Sequence, residues 1–402
     1  MGTGDVLGLR DAGDLRDLSR HAGGLADLGL DKDVGLHHHV LPGDWISAEG
    51  PPYPEMNGRC VITVGDLGEF GIVARIAGRL PQGETVLLGP GDDAAVVSAP
   101  DGRVVVTTDL LLEGRHFRRD WSSGYDIGRK AAAQNLSDVV AMGAHPTGIV
   151  VGLGMPADVG TGWLDDLADG FRDECDLVGA SVAGGDTTRC DLVVIGVTAL
   201  GDLRGRAPVT RSGARPGDVV AVAGRLGHAA AGLALLQAGP AGGLGGAAEG
   251  LGGAAEGLDG VAGEPGGPAG GVRGLVDAHR RPRPPYACGP QAAELGATSM
   301  LDVSDGLLQD LGHVSKASGV GIVLDPGAFT VTPEMERAAR LLGADPVEWV
   351  LTGGEDHALA ATFPRDVRLP SGWTVVGRVV RGSGVQVEGR APERGGWDHF
   401  RE

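Results

Sequence analysis

Two spacings of apolar residues alternate along the chain and predict both strands and helices. Val104–Asp109 is a run of β-branched residues that ends in a carboxylate, which predicts a strand. Apolar residues recur at helical spacing over Tyr125–Met142 and predict a helix. Asn135 and Asp138 are three residues apart in it, so they lie on one face. We expect Asn135 to orient Asp138 rather than to bind metal itself.

The same two patterns recur through the rest of the chain. Further strands are predicted at Val86–Leu88, Gly148–Met155, Leu192–Leu200, Val219–Ala223, Gly321–Leu324 and Trp373–Val380, with a short strand leading into Asp302 and Asp305. Further helices are predicted at Asp66–Ile76, Trp163–Cys175, Gly227–Gln237, Leu308–Ser318 and Pro333–Leu342.

Two segments lack both patterns and suggest where the domains begin and end. Residues 1–58 are rich in glycine and aspartate without either period, and we expect a disordered extension. Residues 239–271 hold two copies of Gly-Gly-Ala-Ala-Glu-Gly-Leu, which predict a flexible insertion without chemistry. The remaining sequence predicts an N-terminal domain at 59–203 and a C-terminal domain at 204–402.

Composition narrows the class of protein. A net charge of −19 argues against a nucleic-acid binder. Lysine occurs only at Lys32, Lys130 and Lys316, so arginine carries nearly all the positive charge. The four cysteines form no zinc-binding spacing, and neither a secretory signal nor a long apolar run is visible, so we expect a cytoplasmic protein that does not bind membranes.

Carboxylates recur where glycine turns or strand ends are predicted. Glycine lets a ligand approach the backbone closely, and loops at strand ends commonly hold ligands. The positions are Gly91-Asp92-Asp93, Asp109 at a strand end, Gly184-Gly185-Asp186, Asp302 with Asp305, and Gly353-Gly354-Glu355-Asp356, with Asp138 added from a helix.

If these carboxylates converge, they need cations in order to stay ionised. Ligand sets made only of oxygen favour Mg²⁺, which in proteins usually bridges to substrate phosphates. The chain has no Walker A loop, no G-x-G-x-x-G and no G-x-S-x-G. Phosphate chemistry would therefore depend on magnesium held by carboxylates, on glycine-loop amides and on an arginine.

Several motifs together resemble the thiamine-monophosphate kinase family, which belongs to the superfamily of aminoimidazole ribonucleotide (AIR) synthetase and selenophosphate synthetase. The resemblance runs from about Val64 to Phe400. The motifs are GPGDDAAVV, TTDLLLEGRHF, KAAAQNLSDVVAMGAHP, GGDTTR, TRSGARPGD, LDVSDGLLQDLGHVSKAS and LTGGEDH.

The resemblance implies ATP- and Mg²⁺-dependent phosphorylation of thiamine monophosphate to thiamine diphosphate. It implies catalytic roles for Asp138, Asp305 and Arg211. It implies several magnesium ions on Asp93, Thr107, Thr108, Asp109, Asp138, Asp186, Asp302 and Asp305. It implies ATP contacts at Thr107, Thr108, Gly185, Asp186, Arg211 and Ser304. It implies substrate contacts at His116, Glu355 and Trp397.

The resemblance also implies a fold. It predicts a mixed α/β (α+β) chain with two AIR-synthetase-like domains, of which the first forms a barrel across a homodimer and the second an α/β sandwich. The sequence departs from the family at the aromatic residue expected to stack on the substrate ring. The strict offset places Arg394 there, with Trp397 at a neighbouring aromatic position.

Two other functions remain open from the sequence. One is an ATP-dependent phosphotransferase of the same superfamily with another substrate. The other is a non-catalytic protein that binds magnesium and nucleotide. The intact set of carboxylates argues against the second.

Overall fold

The computed structural model describes residues 62–89, 95–239, 272–390 and Gly396. Four predictions lie outside these residues: the extension at 1–58, nearly all of the insertion at 239–271, the Gly91-Asp92-Asp93 turn with its ligand Asp93, and the C-terminal Arg394 and Trp397.

The first half of the described chain builds a four-stranded sheet. Helix α1 (Val64–Ala77) precedes a small hairpin of β1 (Val86–Leu88) and β2 (Val96–Val97). The sheet has the order β3-β6-β4-β5, with all neighbours antiparallel except β4 and β5. Its strands are β3 (Val105–Leu112), β4 (His145–Met155), β5 (Ser181–Arg189) and β6 (Val194–Asp202).

Helices α2 (Gly124–Ala141) and α3 (Thr161–Asp176) cover one face of this sheet. Helix α2 begins at a capping box formed by Ser123 and Asp126. The two helices approach closely because glycines line their contact: a Cβ on Gly128 would lie 2.2 Å from the carbonyl oxygen of Leu167. The residues buried between helices and sheet include Leu111, Leu136 and Ile195.

The second half builds a six-stranded sheet with the order β12-β9-β11-β7-β10-β8. All neighbours are antiparallel except β12 and β9. Its strands are β7 (Val219–Ala223), β8 (Ser299–Val303), β9 (Gly321–Leu324), β10 (Ala358–Phe363), β11 (Trp373–Val380) and β12 (Gly384–Val387). Its helices are α4 (His228–Ala238), α5 (Arg273–Arg280), α6 (Cys288–Glu294), α7 (Leu307–Ser318), α8 (Pro333–Leu342) and α9 (Pro346–Thr352).

Both faces of the second sheet are buried. Val220 and Val222 of β7 face a core that includes Leu307 and Leu311 of α7. Ala221, between them in sequence, faces another core that includes Val140, near the end of α2. This second core places the end of α2 against the second sheet. The prediction of a mixed α/β fold is confirmed, whereas the domain boundary at 203/204 stays a prediction.

Two local predictions are wrong for identifiable reasons. Asp109 does not end a strand, because β3 continues to Leu112 through pairing with β6. Gly184-Gly185-Asp186 is not a turn but the middle of β5. A Cβ on Gly185 would lie 2.1 Å from the carbonyl oxygen of Val151, so glycine here allows close approach of β4 rather than a change of chain direction.

Candidate active site

Helix α2 carries the residue on which the site centres, Asp138. Its carboxylate oxygen Oδ2 accepts a hydrogen bond of 2.7 Å from the Thr107 hydroxyl of β3. Thr107 and Asp109 are two apart in β3, so both side chains lie on the face covered by α2. The structure therefore brings Thr107, Asp109 and Asp138 together.

Asn135, one turn before Asp138, holds strand β3 rather than Asp138. It is fully buried, and its Oδ1 accepts a hydrogen bond of 3.1 Å from the backbone N–H of Asp109. Its Nδ2 donates to the carbonyl oxygen of Ala131 at 3.0 Å. The expectation that Asn135 orients Asp138 is wrong, because both polar groups of its amide are used elsewhere.

Asp302 of β8 approaches the same place from the second sheet. Burial raises the pKa of Asp138 to about 8, and the nearby charges of Asp302 and Asp109 add to the rise. Since charges act strongly on a pKa only at short range, the carboxylates of Asp109 (β3), Asp138 (α2) and Asp302 (β8) lie near one another in one poorly solvated region. Such a region favours either protons or a bound cation.

The loop that joins α9 to β10 closes the site from the side of the second sheet. His357 lies in this loop with a φ of 51° and is almost fully buried. Its Nδ1 is 3.2 Å from Oδ2 of Asp302. Its carbonyl oxygen accepts a 3.5 Å hydrogen bond from Ser137 of α2.

Glu355 and His116, the two predicted substrate contacts in the described chain, are joined by a lysine. Lys130 of α2 lies 2.5 Å from Oε2 of Glu355 and donates a hydrogen bond of 3.0 Å to the carbonyl oxygen of His116. Nδ1 of His116 accepts a 3.0 Å hydrogen bond from the backbone N–H of Leu112, so a neutral ring carries its proton on Nε2. Burial raises the pKa of Glu355, but the opposing contributions of Lys130, His357 and His279 together outweigh it, and the pKa falls to about 2.

Ser304 and Asp305 follow β8 directly and precede α7. Both side chains are half-buried. Asp310, in the first turn of α7, accepts hydrogen bonds of 3.1 Å from the backbone N–H groups of Asp305 and Gly306. Burial, followed by the charge of Asp302, raises the pKa of Asp310 to about 7. Asp310 therefore fixes the backbone that carries Asp305.

Three predicted residues lie on the opposite face of the first sheet or at its far edge. Thr108 faces away from α2, and its hydroxyl donates to the carbonyl oxygen of Val197 at 2.9 Å. Asp186 is exposed on β5 and, through Gly152 and Gly196, shares a row with Leu110, so it also faces away from Asp138. Gly185 is its neighbour in β5. Within one chain these residues do not join the Asp138 cluster.

Arg211 lies on an exposed segment before β7. Its carbonyl oxygen accepts a hydrogen bond of 3.1 Å from Ser318 at the end of α7, which fixes the backbone while the guanidinium group extends from an exposed position. Among the described residues, no hydrogen bond or ion pair joins the Arg211 side chain to the Asp138 cluster.

The donor set around Asp138 fits a hard divalent cation. Thr107, Asp109, Asp138 and Asp302 offer only oxygen atoms, and a cation would offset the cost of ionising Asp138, whose pKa is raised by burial. Within residues 62–89, 95–239 and 272–390, no three His, Cys, Asp or Glu side chains stand ready to hold one ion. Mg²⁺ commonly uses one or two carboxylates and takes its other ligands from phosphates and water.

Three residues of this region were not singled out as site residues from the sequence: Lys130, His357 and Asp310. All three lie inside motifs that were quoted as wholes. Lys130 carried a usable signal, because it is one of three lysines and lies two helical turns before Asp138. In the described part of the chain, no helix is long and apolar enough to cross a membrane.

Known proteins similar to this chain share its sequence over most of their length. The family model for the N-terminal domain of AIR synthase related proteins matches residues 91–203. A thiamine-monophosphate kinase from Mycobacterium tuberculosis is 45% identical over 346 residues, which are 85% of this chain and 94% of that protein.

Solved structures give the same result for the fold. The crystal structure of a thiamine-monophosphate kinase from Stenotrophomonas maltophilia has a TM-score of 0.66 and 33% identity, and covers 81% of this chain and 98% of that one. A structure described as AaThiL complexed with AMPPCP and TMP has a TM-score of 0.64 and 31% identity, and covers 83% of this chain and 98% of that one.

Proposed function

Because this chain belongs to the thiamine-monophosphate kinase family, we propose that it transfers the terminal phosphoryl group of ATP to thiamine monophosphate. The products are thiamine diphosphate and ADP. The observation that carries the proposal is the convergence of Asp109, Asp138 and Asp302 on one buried region, joined to the pair of Glu355 and His116 through helix α2.

Magnesium is part of the proposal. Asp109, Asp138, Asp302 and Asp305 would hold it on the α2 side of the first sheet, with Thr107 beside them and Asp93 added from outside the described residues. When bound, Mg²⁺ screens the charges of the phosphates from one another and from these carboxylates. Thr107 would keep the Asp138 carboxylate in place for binding magnesium, and Asn135 would do the same for the backbone of Asp109.

The two substrates would occupy neighbouring positions. We assign ATP contacts to Ser304, Arg211, Thr107, Thr108, Gly185 and Asp186. We assign contacts with thiamine monophosphate to His116, Glu355 and Trp397. A guanidinium group is suited to phosphate because its N–H donors match two phosphate oxygens at once, and Arg211 extends from an exposed segment that leaves it accessible.

The acceptor in this reaction needs little activation. A phosphate oxygen of thiamine monophosphate is already ionised near neutral pH, so a strong general base is unnecessary. The chain's own residues would contribute mainly by alignment and by electrostatic stabilisation. Asp138 and Asp305 have catalytic roles in this sense, and Arg211 would stabilise charge on the transferred group.

We also propose a homodimer in which the first sheet of each copy contributes to a barrel. Val106 and Leu110 are exposed on the face opposite α2, at 60% and 58% of their full accessible area. Exposed apolar area of this kind commonly marks an interface. Thr108 and Asp186 lie on this face, so their contacts with magnesium and ATP would be made there, against the second copy.

The proposal also covers the division of the chain into domains and its location in the cell. The two sheets support a division into an N-terminal domain at 59–203 and a C-terminal domain at 204–402. Use of ATP as co-substrate supports a cytoplasmic location.

The test is a reaction with ATP, MgCl₂ and thiamine monophosphate, in which thiamine diphosphate and ADP are both quantified. One ADP for each thiamine diphosphate supports the proposal. ADP without thiamine diphosphate would instead indicate a phosphotransferase with another acceptor. Nucleotide binding without turnover would indicate a non-catalytic binding protein.

A further inference from the structure

We propose that Lys130 is a positioning residue for the thiamine monophosphate pocket, holding Glu355 and His116 in place together. This inference rests on the proposed function, since it assumes that these two residues contact the substrate. Lys130 itself would not touch the substrate but would act through its two partners.

The first support is the geometry of the lysine. Its side chain is 2% exposed, and its Nζ lies 2.5 Å from Oε2 of Glu355 and 3.0 Å from the carbonyl oxygen of His116. A buried ammonium group is stable only when it is paired and hydrogen-bonded. These contacts therefore fix the positions of both partners as well as that of the lysine.

The second support is the exposure of Glu355. Its side chain is 31% exposed although one of its oxygens is held by a buried lysine. A carboxylate has two oxygens, so the ion pair leaves the other available to a hydrogen-bond donor or a positive charge. The substrate's aminopyrimidine and thiazolium rings offer both kinds of group.

The third support is that the ion pair joins two separate parts of the fold. The backbone of Glu355 has a φ of 69° and donates a hydrogen bond of 2.8 Å to the carbonyl oxygen of Ser304. The second sheet thus fixes the Glu355 backbone, while α2 fixes the side chain. His116 belongs to the first half of the chain, between β3 and α2. Lys130 therefore sets the position of Glu355 relative to a residue from the other half of the fold.

The fourth support is that few other positive charges could pair with Glu355 in place of Lys130. Among the ion pairs of the described residues, Lys130 is the only lysine or arginine within 4.0 Å of a Glu355 oxygen. His279 of α5 interacts electrostatically with Glu355 but is buried with an unpartnered Nδ1, and burial together with the Lys130 charge lowers its pKa to about 3. At neutral pH His279 is therefore uncharged and does not replace the lysine.

The experiment compares K130M, K130R and the matched control K316M, which replaces an exposed lysine. The KM values for thiamine monophosphate and for ATP are measured separately, together with kcat. In K130M we expect the KM for thiamine monophosphate to rise about tenfold or more, the scale of a lost charge-assisted contact, with the KM for ATP unchanged. K130R should recover part of the loss, and K316M should behave as the wild type.

A double variant separates positioning from general destabilisation. If Lys130 acts through Glu355, K130M/E355Q should raise the KM for thiamine monophosphate no further than the more severe single variant. Equal increases in both KM values, or an unchanged KM for thiamine monophosphate in K130M, would overturn the inference. If K130M fails to fold, K130R decides by the same comparison of the two KM values. A wild-type chain that forms no thiamine diphosphate would overturn the proposed function instead, and this inference with it.

Discussion

Thr107 of β3 donates its hydroxyl hydrogen to Asp138 of α2 over 2.7 Å. This bond joins the first sheet to the helix whose end packs against the second sheet. It fixes one oxygen of Asp138, a carboxylate whose pKa is raised to about 8 by burial and by the neighbouring Asp302. The arrangement has direct consequences for variants at both positions.

Replacing Asp138 with asparagine should lower kcat severely. The variant keeps the shape of the side chain but removes the charge that would hold magnesium, so we expect a loss of roughly a hundredfold or more at saturating substrates. The measurement is kcat over a series of MgCl₂ concentrations. Asp366→Asn, at an exposed position after β10, is the control. Near-normal turnover of Asp138→Asn at saturating MgCl₂ would contradict the assignment.

Replacing Thr107 with valine should have a smaller effect of the same kind. Valine keeps the shape of threonine but leaves the half-buried Asp138 without this donor, which costs about 1–3 kcal/mol. We expect a lower kcat and a higher MgCl₂ concentration for half-maximal rate.

Thr107→Ser is the matched control, because serine keeps the hydroxyl group and loses only a methyl group. Its kcat should lie near that of the wild type. Equal impairment of the serine and valine variants would show that the hydroxyl is not what matters at this position.

Much of the secondary structure could be predicted because its signals are local. The helix at Tyr125–Met142 was predicted from apolar spacing and is confirmed as α2. Strand β10, with the sequence Ala-Leu-Ala-Ala-Thr-Phe, was not predicted, because alanine has little preference for strands and both faces of this strand are buried. Helices α5 and α6 have eight and seven residues, about two turns each, which are too few positions to establish a helical period from sequence.

The sequence motifs were sufficient to predict the family, which is confirmed. They were not sufficient to predict which site residues lie close together. Adjacent residues of a strand face opposite sides, so Thr107 and Thr108 diverge although both belong to one motif. The contact of Lys130 with Glu355 joins positions far apart in sequence, and no local pattern reports it. Such contacts depend on how the two sheets meet at α2.

Gly354 should tolerate no side chain. A Cβ there would lie 2.1 Å from the carbonyl oxygen of Ser304, so Gly354→Ala must displace the loop that carries Glu355. Overpacking of this kind costs about 1–3 kcal/mol. We expect a lower melting temperature and a higher KM for thiamine monophosphate.

Gly312→Ala provides the opposite case. Gly312 lies within α7, and a Cβ there would meet nothing within 4 Å. Alanine should stabilise the helix by about 0.5–1 kcal/mol and leave kinetics unchanged. If both variants had the same melting temperature, the close contact at Gly354 would not be a real constraint.

His279 should make the stability of the protein depend on pH. Burial, with a further contribution from the Lys130 charge, lowers the pKa of His279 from 6.5 to about 3. Because the unfolded chain binds this proton more readily, the stabilisation is complete above pH 6.5 and is lost as the pH falls toward 3. At pH 5 the loss amounts to about 2 kcal/mol, since each pH unit below 6.5 contributes about 1.4 kcal/mol.

The measurement is the free energy of unfolding by urea at pH 7.5 and pH 5 for the wild type, His279→Gln and His313→Gln. Glutamine does not titrate, so His279→Gln should lose about 2 kcal/mol less than the wild type between the two values. His313 is exposed on α7, and its variant should follow the wild type. An equal fall in all three proteins would mean that His279 becomes protonated without unfolding, and that the environment formed by α5 and Lys130 does not hold it neutral.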